Sequence, residues 1–321
     1  MRVTDSLTVD ELDRQLLQAL QIDGRAPFSA IAEVTGVSAH TVARRYHRMR
    51  ASAGLRVVGR GAATRSRWML RIRCAPDAAG TVAAGIARRA DTSFVALTSG
   101  TSELLLVLDA VDEESAAVLL DRLARTPTIV SVTAQQLLRT VHGGPDGWFA
   151  KCGALTTEQV TALRLASSAR TVPARTVPAR DDVDRLLLRE LGRDGRAGYP
   201  VLGASVQLSE ASVRRRLARL QASGAVYFDL QFDAGRLGYH MVALLWLTVV
   251  PPALEATGAE LARHPEVAFV AATTGGANLV AAVICCDADA LYSYLTRRVA
   301  ALHAVTQVET ATVLRQIKQL R

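Results

Sequence analysis

The chain is nearly devoid of lysine. Lys151 and Lys318 are the only two among 38 basic residues, so arginine carries almost all of the positive charge. Aromatic residues are scarce at 5%, yet half of all residues are hydrophobic, which excludes a disordered chain and suits a soluble mixture of helix and strand. Long apolar runs are missing too. The longest, Met241–Val250, stops at Pro251-Pro252. It is about half of the roughly 20 residues that a membrane helix needs. It reads as a buried strand, and no membrane partner is expected.

The four cysteines, Cys74, Cys152, Cys285 and Cys286, lack CxxC spacing, and the adjacent pair is poorly placed to form a bridge. No secretory pattern is visible in "MRVTDSLTVDELD". Reduced thiols and a cytoplasmic location are therefore expected. No Cys/His group has metal-ligand spacing, and no GxxxxGK[ST] phosphate loop is present. No metal or cofactor is expected.

Acidic residues vanish between Glu33 and Asp77, where ten arginines occur, Arg44, Arg45, Arg48 and Arg50 among them. A solvated surface mixes both signs. A one-sign run of this length repels itself unless something anionic meets it. With a net charge of +8, the expected partner is nucleic acid before membrane surface.

What the sequence does contain is a duplication. Asp13 and Asp184, Asp23 and Asp194, Ser38 and Ser209, and Val42 and Val213 are each separated by 171 positions, and "DGRA" occurs at both 23–26 and 194–197. A period this long is a whole protein copied end to end. Each copy begins with an amphipathic helix, marked by Leu12, Leu16 and Leu20 or by Leu187 and Leu191. A short second helix follows, at 29–35 or 200–205. Then "GVS" or "QLS" turns the chain, and Ser38 or Ser209 stands where an N-cap belongs. Val42, Tyr46 and Met49, or Val213, Leu217 and Leu220, form the buried stripe of a third helix. The arginines lie on its other side. Three short helices with a tight turn before a basic third helix make a helix-turn-helix.

The second half of each copy changes period. "RWMLRIRC" alternates as a strand does, and β-α-β-β-α-β order follows: 67–74, 78–89, "FVALTSG", "ELLLVLDA", 113–125 and 129–134. Copy two repeats this order in Met241–Val250, 253–263, "FVAATTGG", "NLVAAVICC", 288–302 and 306–314. Such units build a four-stranded antiparallel sheet with both helices on one face. The other face is apolar and reads as a dimerisation surface. The fold class is thus α+β: two winged-helix-like helix-turn-helix domains at 8–60 and 181–230, and ferredoxin-like domains at 67–139 and 239–318. Residues 140–180 join the copies. Their tandem "TVPARTVPAR" reads as an extended linker, and "LTTEQVTALRLA" as a short helix before it.

This order resembles the Lrp/AsnC family of bacterial regulators, most clearly in "DDVDRLLLRELGRDGRAGYPVLGASVQLSEASVRRRLARLQASGAV" and on through "FDAGRLGYHMVALLWLTV". Family members usually carry one copy and associate, so the chain looks like a fused dimer that could form further homo-oligomers. The resemblance implies no catalysis but regulation of transcription through double-stranded DNA. Ser38, His40, Thr41, Arg44, Arg45 and Arg48, with Ser209, Ser212, Arg214, Arg215 and Arg219, are the expected DNA-facing residues. It also implies a small-molecule effector, such as an amino acid, at the turn between the second and third sheet strands. Gly100, Thr101, Ser102 and Glu103 form that turn in copy one; Gly275, Gly276, Ala277 and Asn278 form it in copy two. The family's acid stands as Glu103 in the first and is replaced by Asn278 in the second. Siroheme decarboxylases share this architecture, and some are fused two-copy chains. Their chemistry rests on a His- and Tyr-rich hairpin, whereas "FVALTSGTSELLLVLD" and "FVAATTGGANLVAAVI" contain no His, Tyr or Arg. A decarboxylase needs cationic groups and a proton donor at that place.

Overall fold

The computed structural model describes residues 9–61, 66–89, 91–98, 102–110, 112–144, 147–166 and 181–318. Copy one runs α1 (Glu11–Ile22), α2 (Phe28–Thr35), α3 (Ala39–Ala53), β1 (Arg56–Gly61), β2 (Ser66–Cys74), α4 (Ala79–Ala87), β3 (Thr92–Thr98), β4 (Glu103–Ala110), α5 (Glu113–Ala124) and β5 (Ile129–His142). A single helix, α6 (Thr157–Ala166), follows. Copy two opens with α7 (Asp182–Arg193), α8 (Tyr199–Val206), α9 (Glu210–Ala222) and β6 (Val226–Gln231). It closes with β7 (Met241–Val249), α10 (Leu254–Arg263), β8 (Val267–Thr273), β9 (Leu279–Cys285), α11 (Ala288–Ser293) and β10 (Val305–Lys318). Among the described residues no helix is long and apolar enough to cross a membrane.

The chain divides into two compact units, and each draws on both copies: Met1–Ala62 with Gly144–Gly238, and Ala63–Gly143 with Tyr239–Arg321. The first unit holds both helix-turn-helix segments. A winged helix would fold its strand into a hairpin of its own; here β1 pairs antiparallel with β6 of the other copy. In that ladder Val58 faces Asp229, which is its own equivalent 171 positions on. A residue that pairs with its own counterpart marks a local two-fold axis. The DGRA turns confirm the symmetry. Arg25 donates to the carbonyls of Gly195 and Ala197 at 2.6 and 3.0 Å, and Arg196 donates to those of Gly24 and Ala26 at 2.7 and 2.9 Å. Each guanidinium also lies over a ring from the other copy: Arg25 at 5.0 Å from Tyr199, Arg196 at 4.5 Å from Phe28. The glycines allow the turns to come this close. A Cβ at Gly24 would fall 2.7 Å from the Cβ of Phe228, and one at Gly195 would fall 2.9 Å from the Val57 carbonyl oxygen.

The expected linker, 140–180, is only partly one. Residues 140–142 complete β5, Trp148–Lys151 form a 3₁₀ turn, and α6 covers α1 and α2. Phe149, Leu155 and Leu163 are buried. Gln18 fixes the segment by donating to the Ala150 carbonyl and accepting from the Leu155 amide at 2.7 Å. Apolar residues in irregular spacing gave no period to read, which is why this docking was missed. The tandem repeat 171–180 lies outside the described residues.

In the second unit the strands close into a barrel of order β10-β3-β4-β2-β5-β8-β9-β7. Two separate open sheets were expected. The difference lies in β5 and β10, which run to His142 and Lys318, beyond the expected ends at 134 and 314. The early part of β5 pairs with β2 of its own copy, and the extension pairs with β8 of the other. β10 does the same with β7 and β3. The apolar sheet faces read as dimerisation surfaces therefore meet inside the barrel, where Met69, Leu105 and Val107 pack with Leu244, Trp246, Ala271 and Val280. The helices cover the outer faces. One core gathers α4 and α5 residues such as Ala83 and Leu119, another gathers Leu261 of α10 and Leu291 of α11. The copy-two helix expected at 288–302 is α11 followed by a π-helical turn, Tyr294–Val299.

Charged hydrogen bonds of the Arg25 and Arg196 kind contribute about 1.5–3 kcal/mol. Arg196→Ala is expected to lower the unfolding free energy by about 2 kcal/mol in a urea titration. Arg196→Lys, with one compact ammonium for two carbonyls, should recover less than half of that loss.

Candidate nucleic-acid interface

Each third helix is held by the first through a buried carboxylate. Asp10 caps α1 and accepts from the Asp13 amide at 3.0 Å, while the Asp13 side chain reaches back to the Asp10 amide. Asp13 is fully buried, and both Arg45 and Arg48 pair with it; Arg45 also pairs with Asp10. Copy two repeats the arrangement. Arg216 pairs with Asp181 at 2.6 Å and Asp184 at 2.8 Å, and Arg219 meets Asp184 at 3.4 Å. A carboxylate at this depth is tolerated only when paired. Arg45, Arg48 and Arg219, counted from the sequence as DNA contacts, are thus tied to carboxylates inside their own copy. Their spacing along the helix was visible; that Asp13 and Asp184 lie beneath them was not.

Arg48 and Arg219 stay exposed despite these pairs, and further arginines face outward without a carboxylate partner among the described residues. Arg44 is exposed on α3, flanked one turn away by the exposed His40 and His47. On α9 both Arg214 and Arg215 are exposed. Arg215 donates to the Ser212 hydroxyl at 3.3 Å, and Arg214 lies over the Tyr199 ring at 4.8 Å. Ser38 and Ser209 are the N-caps, accepting from the amides of Thr41 at 3.1 Å and Ser212 at 3.3 Å. This leaves the first turn of each helix, with its partial positive charge, at the exposed end of the element. The two inter-helix turns share one geometry with unlike residues. Gly36 has φ +71°, and Gln207 adopts φ +55° at the same place. A non-glycine residue there carries about 1 kcal/mol of strain.

The turns at which an effector is expected belong to the sheet unit. Gly100 and Thr101 lie outside the described residues. Ser102 is half-buried, and the Glu103 carboxylate accepts from Arg71 at 3.0 and 3.2 Å. Arg71 also pairs with Glu309 at 2.7 Å and lies 4.4 Å from the centre of the Trp246 ring. The Arg71 guanidinium holds the Glu309 carboxyl below its ordinary range. Arg71 and Trp246 are equivalents, 175 positions apart like Met69 and Leu244 or Leu105 and Val280. Their contact places the barrel's local two-fold axis between them. In copy two, Gly275 has φ +106°, Gly276 accepts from Thr248 at 3.3 Å, and Ala277 packs on the barrel interior. Asn278 uses its whole amide on Val249, accepting from the amide at 2.9 Å and donating to the carbonyl at 2.7 Å. Gln135, which accepts from the Trp246 indole at 3.0 Å and donates to the Thr274 carbonyl at 3.0 Å, completes this cluster. Sequence reasoning had no signal for Arg71, Gln135 or Trp246, because each acts across the two copies.

The sequence matches the AsnC-type helix-turn-helix domain over residues 9–50 and again over 181–221, and the Lrp/AsnC ligand binding domain over 242–321. An uncharacterized HTH-type transcriptional regulator of Pyrococcus horikoshii is 28% identical over 150 residues, covering 46% of this chain and 94% of that protein. The HTH-type transcriptional regulator Ptr1 of Methanocaldococcus jannaschii is 30% identical over 139 residues, covering 43% of this chain and 94% of its own length. The crystal structure of the siroheme decarboxylase NirDL is similar in fold over the whole molecule, with a TM-score of 0.61 across 97% of this chain and 93% of that one, at 14% identity.

Arg216 holds the Asp181 carboxyl below its ordinary value. A depressed folded-state pKa contributes stability above the unfolded value, and that contribution is lost as pH falls through the folded one. Between about pH 5 and pH 2.5, Asp181→Asn should therefore show a shallower loss of stability than the wild type, from a lower starting point near pH 7. Thermal melts across that range check it; parallel curves would contradict the pairing.

Proposed function

From the premise that this chain belongs to the Lrp/AsnC family, we propose that it is a sequence-specific DNA-binding regulator of transcription, one polypeptide presenting both reading helices. The observation that carries this reading is the pairing of β1 with β6 about Val58 and Asp229, together with the reciprocal arginines, which relates α3 and α9 by a local two-fold axis. Duplex DNA offers its major groove at intervals of one helical turn, and symmetry-related helices are suited to it. Joining both readers in one chain raises the effective concentration of the second once the first is bound. Arg44, Arg214 and Arg215 supply the free charge, and the N-caps Ser38 and Ser209 set the register at which the helix ends approach phosphate. His40 and Thr41 differ from the equivalent Ala211 and Ser212, so the operator should be an imperfect palindrome with unlike half-sites.

The same reading places effector sensing at the two sheet turns and assigns the chain no catalysis. An ammonium approaching Glu103 competes with Arg71, and Asn278 brings no charge to the second turn, so the two sites should differ in affinity. The hairpins β3–β4 and β8–β9 carry no His, Tyr or Arg to hold or protonate a tetrapyrrole, which is why the likeness to a decarboxylase is read as one of fold. A thermal-shift panel of amino acids would locate an effector, and Glu103→Gln should abolish the larger of any shifts.

The decisive measurement is a gel-shift series in salt. Phosphate contacts make log K fall linearly with log salt, and Arg44→Ala or Arg215→Ala should each reduce the slope by about 1 while leaving the melting temperature unchanged. Arg45→Ala and Arg216→Ala should act the other way, lowering stability by about 2 kcal/mol because the buried aspartate keeps only one of its two arginines. Binding that does not respond to salt would overturn the proposal.

A further inference from the structure

We propose that Glu210 makes the second reading helix select a cytosine that the first cannot select, an inference that rests on the DNA-binding reading above. Glu210 is the first residue of α9, next to the cap Ser209, and is exposed. Its equivalent in copy one, 171 positions back, is Ala39. A carboxylate near the groove-facing end of a basic helix repels phosphate, so it weakens general affinity for DNA. The obvious internal partner does not neutralise it. Arg214 stands one turn further on, a spacing at which Glu and Arg commonly pair. Its guanidinium instead lies over the Tyr199 ring, 4.8 Å from the centroid, and no ion pair or hydrogen bond to the Glu210 carboxylate is present among the described residues. The Tyr199 ring thereby keeps a cation away from the acid. Copy one has Phe28 at that position and no arginine equivalent to Arg214, since Ala43 stands there.

In the major groove a free carboxylate can only accept. Guanine presents acceptors at O6 and N7, thymine an acceptor and a methyl, and adenine an acceptor beside its donor, whereas cytosine presents the N4 amine. Glu210 therefore favours cytosine, from whose N4 amine it can accept, and disfavours the others by setting acceptor against acceptor. Arg215, five residues further along α9 and also exposed, offers a cation suited to the acceptors of a guanine. The α9 half-site should accordingly be richer in G·C pairs than the α3 half-site.

Selection from a random-sequence duplex pool, followed by competition gel shifts, tests this with wild type, Glu210→Ala and Glu210→Gln. Wild type should prefer cytosine at one position of one half-site by about tenfold. Glu210→Ala should lose that preference, leave the other half-site unchanged and bind unselected DNA more tightly. Glu210→Gln should move the preference toward adenine. If Glu210→Ala retains the cytosine preference, or tightens all sequences alike from a wild type with none at that position, the inference is wrong and DNA binding stands. If the wild type binds no duplex even at low salt, the functional reading fails with it. Circular dichroism of each variant confirms that the exposed substitution leaves the helices intact.

Discussion

In the helical unit, everything hangs on two arginines that reach out of their own copy. Arg25 and Arg196 each hold two carbonyls of the opposite turn, and each covers an aromatic ring there. Burial depresses the pKa of Arg196, yet the guanidinium stays charged because its ordinary value is so high. A planar, forked cation is suited to this place, since a loop carbonyl buried without a donor would be costly. The close approach of Gly24 and Gly195 brings the carbonyls within reach. The β1–β6 ladder then follows, and with it the symmetry that relates α3 and α9.

A second constraint decides which charges remain for a partner. Asp13 and Asp184 are buried beneath the third helices, and each draws two arginines onto itself. The helices are thereby fixed to their scaffolds by four of their arginines, of which Arg48 and Arg219 remain exposed. Arg44, Arg214 and Arg215 escape because their positions on the helix turn them away from the aspartates. Charge density along a sequence and charge available at a surface are thus different quantities.

Fusion has let equivalent positions diverge where a dimer of identical chains could not. At the barrel axis Arg71 lies on Trp246; two identical halves would bring arginine to arginine or tryptophan to tryptophan. Flanking carboxylates, Glu103 and Glu309, suit the cation alone. The inter-helix turns differ likewise, with Gly36 against Gln207, and the first residues of α3 and α9 with Ala39 against Glu210. A heterotypic contact of this kind favours the pairing of unlike halves over like ones.

Much of the architecture was legible from local pattern. Apolar spacing announced the helices, alternation announced the strands, and the 171-residue period announced the duplication, because each of these is settled by residues close together in the chain. Sequence by itself determined most of the element types, the N-caps and the two basic helices, but not β1 and β6, which pair only with each other across the copies. The length of β5 and β10 could not be read, since their last residues are stabilised only by strands of the other copy. Nor could the roles of Arg25, Arg45, Arg71 and Arg196, whose partners lie from 32 to 238 positions away. Only the tertiary structure decided which arginines bind the protein and which face outward, because a guanidinium's role depends on the carboxylates and carbonyls that folding places within about 3 Å of it.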